Sequence, residues 1–193
     1  MLDQLNQSLD LIVNQTWNNL YILLGILCVL WCAFILTMLT GRRLLFLGII
    51  PRTLVGLRGV IFAPFLHVNF NHLFFNSIPL VVLANFILVN GVEYFMYITL
   101  LLTILSGLIT WVIAKPGIHI GASSVITGYW TILACNVFQQ PTFTSVILGI
   151  ISIYYFAGIF FGIFPSGNKG VSWEGHLSGF LAGLILYFCN LWL

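Results

Sequence analysis

Six apolar runs divide the chain, at residues 20–39, 72–89, 94–114, 121–138, 143–164 and 175–191. Each comes close to the roughly 20 apolar residues needed to cross the hydrocarbon core of a bilayer as a helix. None alternates with a period of two, so the pattern predicts spanning helices rather than the strands of a closed barrel. Pro79 lies inside the second run. The breaks carry turn formers: Asn90-Gly91, Lys115-Pro116-Gly117, Gln139-Gln140-Pro141 and Pro165-Ser166-Gly167-Asn168. Residues 1–19 are polar to mildly amphipathic and form a short N-terminal segment, leaving 20–193 as one membrane domain. Between the first two runs, Arg42, Arg43, Arg52 and Arg58 are interleaved with Leu44, Phe46, Ile49, Val60 and Phe62. A freely solvated loop would be less apolar, so this one is expected to lie partly in the membrane interface.

Composition sharpens the reading. The chain of 193 residues is 61% hydrophobic and 5% charged, against about a quarter charged in soluble domains. An all-α, multi-pass membrane protein with six transmembrane helices follows. Asp3, Asp10, Glu93 and Glu174 are the only acids, which excludes chemistry built on paired carboxylates. A net charge of +2 is too small to suggest nucleic acid. Cys28, Cys32, Cys135 and Cys189 fall in apolar runs with no CxxC pair and read as free buried thiols. No basic residue precedes the first run, so the N-terminus does not read as a cleaved signal.

The polar residues inside the runs are not scattered. In a six-span chain the second, fourth and sixth helices run the same way. The second opens on His67 to His72 and Asn76, the fourth on Gly121, Ser123 and Ser124, the sixth on Gly175, His176 and Gly179. All three clusters therefore belong to one side of the membrane. His72 and Asn76, four residues apart, share a helical face. His67 is about 140° round from His72, a poor co-ligand for a metal, and no carboxylate or thiolate joins the histidines. No metal and no cofactor is expected. Gly175, Gly179 and Gly183 form a small-residue stripe of the kind that lets membrane helices approach closely. If the neighbour is the fourth helix, His176 meets a serine. Serine beside histidine is the minimum for nucleophilic attack on a carbonyl, and the oxyanion could be held by the Ser123 N–H, His72 and Asn76. Geometry alone does not choose between Ser123 and Ser124.

These residues resemble the rhomboid family of intramembrane serine proteases. Gly121, Ser123 and Gly128 match its GxSxxxxG pattern. His67, His72 and Asn76 match HxxxxHxxxN, and His176, Gly179 and Gly183 match HxxGxxxG. The resemblance implies a six-helix bundle with a water-filled cavity and a serine-type endopeptidase. It implies Ser123 as nucleophile, His176 as general base, and His72, Asn76 and the Ser123 N–H as oxyanion hole. Gly121, Gly128, Gly179 and Gly183 would serve helix packing near the site. Substrates would be membrane proteins cut in or near a transmembrane segment. The lack of a targeting segment or large soluble domain, apart from the resemblance, leads to the expectation of a bacterial inner membrane. The alternative is a non-catalytic rhomboid-like protein that binds transmembrane helices. Three positions depart from the family. No Trp-Arg pair precedes the second run, Ser124 stands where a small residue is common, and Thr127 stands where many members place an aromatic ring against the base.

All six Lys and Arg fall in the loops on the side of the polar clusters, or at their edges. The positive-inside rule makes that side cytoplasmic. The resemblance implies the opposite, with the N-terminus inside, and that topology is the one adopted.

Overall fold

The computed structural model describes residues 2–139, 141–165 and 172–189. Gln140, Ser166 to Asn168, Lys169 and the end of the sixth run at 190–191 lie outside the described residues. Among the described residues seven α-helices follow one another: α1 (Leu2–Leu39), α2 (Gly59–Phe62), α3 (Phe70–Leu88), α4 (Val92–Ile113), α5 (Ser123–Gln139), α6 (Phe143–Phe161) and α7 (Trp173–Phe188). The only β pairing among the described residues is an isolated bridge between Ile49 and His119. The runs that begin at residues 72, 94, 121, 143 and 175 fall on α3, α4, α5, α6 and α7. The first forms the C-terminal half of α1.

Four of these helices, α1, α3, α4 and α6, are long and apolar enough to cross a membrane. α5 and α7 are shorter, at 17 and 16 residues, or about 25 Å each. α5 is ringed by α3, α4, α6 and α7, and α7 packs on both α5 and α4. The buried core collects around α5, with Tyr129 and Ile132 set against Leu73, Leu83, Leu102 and Leu186. The outside is apolar too: Leu24, Leu36, Phe75, Met96, Tyr154 and Phe188 are all exposed. A soluble monomer does not carry such a surface. The molecule is an integral membrane protein.

One expectation changes, and one helix runs on beyond its apolar run. α1 is one continuous helix of 38 residues, about 57 Å long, and no break marks residue 19. The reason is a stripe that carries on through the polar half. Leu5, Ser8, Ile12, Thr16, Asn19 and Leu23 all face inward, and Asn85 of α3 donates a 2.8 Å hydrogen bond to Thr16. The cysteines are free but not buried. Cys28, Cys32 and Cys189 are exposed and Cys135 is half-buried, because they sit on faces turned toward lipid, where a thiol behaves as a small apolar group.

The long first loop is folded rather than loose. Arg52 takes a left-handed backbone (φ 58°), uncommon for a side chain with a Cβ. That turn aims its guanidinium at the C-terminal end of α4, where Nη1 donates to the carbonyls of Val112 (2.9 Å) and Ala114 (2.8 Å). Its backbone N–H donates to Trp111 O, and the Trp111 indole donates to Thr53 O. A cation on the unsatisfied carbonyls of a helix end is favourable twice over, by hydrogen bonding and by the helix dipole. Arg52→Ala is expected to cost roughly 1–2 kcal/mol, lowering the unfolding temperature in detergent by about 3–6 °C. A shift below 1 °C would show that the loop is held by packing alone.

Candidate active site

Three helix N-termini converge beneath this loop. α3 begins after Asn69, whose side chain accepts the His72 N–H (2.8 Å) and so caps the helix. The capped turn fixes His72 and Asn76 one above the other. α5 begins after Gly121, which has φ +113° and donates its N–H to Ala63 O in the first loop (2.9 Å). A Cβ at Gly121 would fall 2.8 Å from His72 Nε2 and 3.6 Å from Asn76 Nδ2. Glycine is needed here for its backbone angle and for the room it leaves to those two side chains. α7 begins after Ser172, whose hydroxyl accepts the Gly175 N–H (3.4 Å).

Ser123 opens α5 and is half-buried. It lines a cavity of about 30 Å³ together with Ser124, Thr103, His119, Ser172 and Gly175. A Cβ on Gly175 would lie 4.0 Å from Ser123 Oγ, so the residue before His176 faces the serine hydroxyl. Below it the two helices close on each other. A Cβ on Gly179 would collide with the Ser124 carbonyl, and one on Gly183 would lie 2.7 Å from Thr131 Cβ and 3.0 Å from Gly128 O. Gly128 turns its own Cα toward Leu102 of α4, so only its carbonyl meets α7. The glycine stripe therefore seats α7 on α5, whereas Gly121 serves α3 and Gly128 serves α4.

His176 sets its ring against Gly162 at the end of α6. Sequence reasoning did not single out Gly162. A glycine at the end of an apolar run reads as a helix stop, and nothing local reveals that an imidazole needs the space. His176 Nδ1 is buried without a protein partner, and so is Asn76 Nδ2. No hydrogen bond joins Ser123 Oγ to His176. Such bonds are often long until substrate binds. Thr127, buried completely, returns its hydroxyl to the Ser123 carbonyl (2.8 Å), so α5 offers no ring at that position to stack on the imidazole.

His67 stands behind His72, edge to face, with ring centroids 5.0 Å apart. It is fully buried, and neither ring nitrogen has a partner within hydrogen-bonding geometry. Burial, and next the neighbouring His72, push its pKa down to about 4, against the action of the Phe65 backbone. The fold thus holds His67 neutral while the unfolded chain protonates near 6.5. Stability from this site is complete above about pH 6.5 and is lost as pH falls toward 4. The loss reaches up to about 3 kcal/mol. Thermal unfolding between pH 7 and 4 should show it, and His67→Phe should flatten the slope.

Among the described residues no three His, Cys, Asp or Glu side chains are grouped to hold a metal ion. Residues 55–192 match the family model described as the Rhomboid domain. The chain belongs to the rhomboid family. It is 37% identical over 172 residues to the uncharacterized protein Rv1337 of Mycobacterium tuberculosis, spanning 84% of this chain and 71% of that protein. It is 35% identical over 136 residues to the uncharacterized protein ML1171 of Mycobacterium leprae, spanning 66% of this chain and 53% of that one. The rhomboid match begins in the folded first loop and takes in all three converging helix N-termini.

Proposed function

We propose that this rhomboid is an intramembrane serine endopeptidase with six membrane-spanning helices, its catalytic domain running over 20–193. One observation carries the reading: Ser123 opens its helix between the His72 and Asn76 pair on one side and the His176 turn on the other. In the reaction, Ser123 Oγ attacks the carbonyl carbon of a peptide bond and His176 takes the hydroxyl proton. The charge that develops on the carbonyl oxygen is held by the Ser123 N–H, His72 and Asn76. The unpartnered Asn76 Nδ2 suits this task, since a donor with no other partner is free for the oxyanion. One such donor is worth about 3–4 kcal/mol of transition-state stabilisation. His176 then returns the proton to the leaving amine, and water releases the acyl group from Ser123.

The substrate class is a membrane protein, cut in or near a transmembrane segment, and the setting is a bacterial inner membrane. A second reading is a rhomboid-like helix-binding protein without catalysis. Two features favour it: the missing Ser123–His176 hydrogen bond and Thr127 in place of a ring. A fluorophosphonate probe separates the two. Purified wild type should be labelled at one serine, mapped to Ser123 by mass spectrometry, and Ser124→Ala should label equally. Folded protein that takes up no probe and leaves labelled transmembrane substrates intact would establish the second reading.

A further inference from the structure

His119, Ser172 and Glu174 form a hydrogen-bonded chain that neither the nucleophile nor the base uses. His119 Nε2 lies 2.9 Å from Lys115 O and Nδ1 lies 2.8 Å from Ser172 Oγ, while Ser172 Oγ donates to Glu174 Oε2 at 3.2 Å. His119 is held rigidly at its own end, because its backbone exchanges two 2.9 Å hydrogen bonds with Ile49 of the first loop. Ser172 is the N-cap of α7, four residues before His176, and Ser172 and His119 line the same cavity as Ser123.

Capping explains Ser172 alone. It does not explain a carboxylate only 5% exposed or an imidazole bonded at both nitrogens. A buried carboxylate is unfavourable unless paired and hydrogen-bonded. The hydrogens on the chain account for both. A carbonyl only accepts, so His119 Nε2 carries hydrogen toward Lys115. If Ser172 donates to an ionised Glu174, then Nδ1 must donate to Ser172, and His119 is an imidazolium. If Glu174 holds the proton, it donates to Ser172, which donates to a neutral Nδ1. Both arrangements contain the same number of hydrogens and satisfy every link. Removing one hydrogen leaves Ser172 with a single donor for two acceptors, and one link breaks.

We propose that His119, Ser172 and Glu174 are positioning residues: they lock the first turn of α7, and with it His176, to the loop that delivers Ser123. The inference rests on the Ser123–His176 reading and adds the part that sets the distance between the two. Ser123 reaches its place through the loop 114–122, and His176 through α7. The relay is the polar tie between those two segments above the glycine seam.

The test compares wild type with His119→Ala, Ser172→Ala, Glu174→Ala and Glu174→Gln in detergent. Cleavage kinetics are measured on a labelled transmembrane substrate, and hydrogen exchange is followed in residues 173–176. Each alanine variant should lower kcat by about 10- to 100-fold, the penalty of a catalytic group displaced by about 1 Å, with KM within twofold. Each should also speed amide exchange in the first turn of α7. Glu174→Gln should retain most of kcat and of the exchange protection. Its amide donates to Ser172, which then donates to a neutral His119, as in the second arrangement above. Alanine variants with wild-type kcat and exchange would overturn the relay, as would a Glu174→Gln that loses as much as Glu174→Ala. If wild type itself neither cleaves nor labels, the protease reading fails, and hydrogen exchange still decides for or against the relay.

Discussion

Ser123→Ala is expected to reduce cleavage of a labelled transmembrane substrate below detection, and His176→Ala to do the same. The argument is one of chemistry rather than stability. Removing Oγ leaves no atom to attack the carbonyl, and removing the imidazole leaves nothing to take the proton. In enzymes where a serine and a histidine act as a unit, loss of either costs on the order of 10⁶ in kcat. The double variant should therefore be no worse than either single one. That non-additivity distinguishes a catalytic pair from two independent structural residues, whose effects would multiply. Ser123→Ala should not unfold the protein, since Ser123 is half-buried and makes no side-chain hydrogen bond that would be lost. Folding is checked by the unfolding temperature in the same detergent. Full activity in Ser123→Ala, with loss in Ser124→Ala, would move the nucleophile by one residue.

The second large effect is Gly179→Ala, where a single methyl group should abolish cleavage. Its carbon would land on the carbonyl group and Cα of Ser124. These are backbone atoms within α5, so no side-chain rotation relieves the clash. α7 must move away, carrying His176 with it. Overpacking of this kind costs about 1–3 kcal/mol, and a displacement near 1 Å costs about 100-fold in rate. Bilayers offer helices little hydrophobic incentive to associate, so close packing along this seam is a large share of what holds α7 in place. Gly158→Ala on α6 is the matched control. Nothing lies within 4 Å of its Cβ position, and alanine there should be neutral or stabilise by up to about 1 kcal/mol. Equal activity of the two variants would show that the seam tolerates slack.

How far the sequence reveals this arrangement depends on the kind of signal. Hydrophobic run length locates α3, α4 and α6, because the bilayer imposes a length and the chain must meet it. Same-side reasoning brings His72, Asn76, Ser123 and His176 to one end of the bundle from the span count alone. The GxxxGxxxG spacing announces a close helix contact, and that contact is α5. Partners across space are not legible in the same way. Gly121 and Gly128 look alike in the motif, yet one makes room for His72 and the other for Leu102. Arg52 reads as a surface charge, although its guanidinium closes the end of α4 sixty residues away. No spacing along the chain joins His119 to Glu174, because the link between them runs through the hydroxyl of Ser172. The inward stripe through Thr16 and Asn19 escapes notice for a related reason. It is partly polar, and apolar periodicity does not register a helix that buries asparagine and threonine.

The glycine stripe has a property that its tight fit conceals. A row of glycines four residues apart is translationally degenerate: sliding α7 by one turn along α5 returns glycine to glycine at two of the three positions. In one direction the slide drives Tyr187 into the place that Gly183 occupies against Thr131, and bulk forbids it. In the other direction glycine again takes the place of glycine at the two tight positions, those of Gly179 and Gly183, and the stripe itself raises no objection. Such a slip would carry His176 about 6 Å deeper and away from Ser123. Register along this seam is thus chosen at its mouth, where Ser172 is tied to His119, and not by the glycines that make the seam possible.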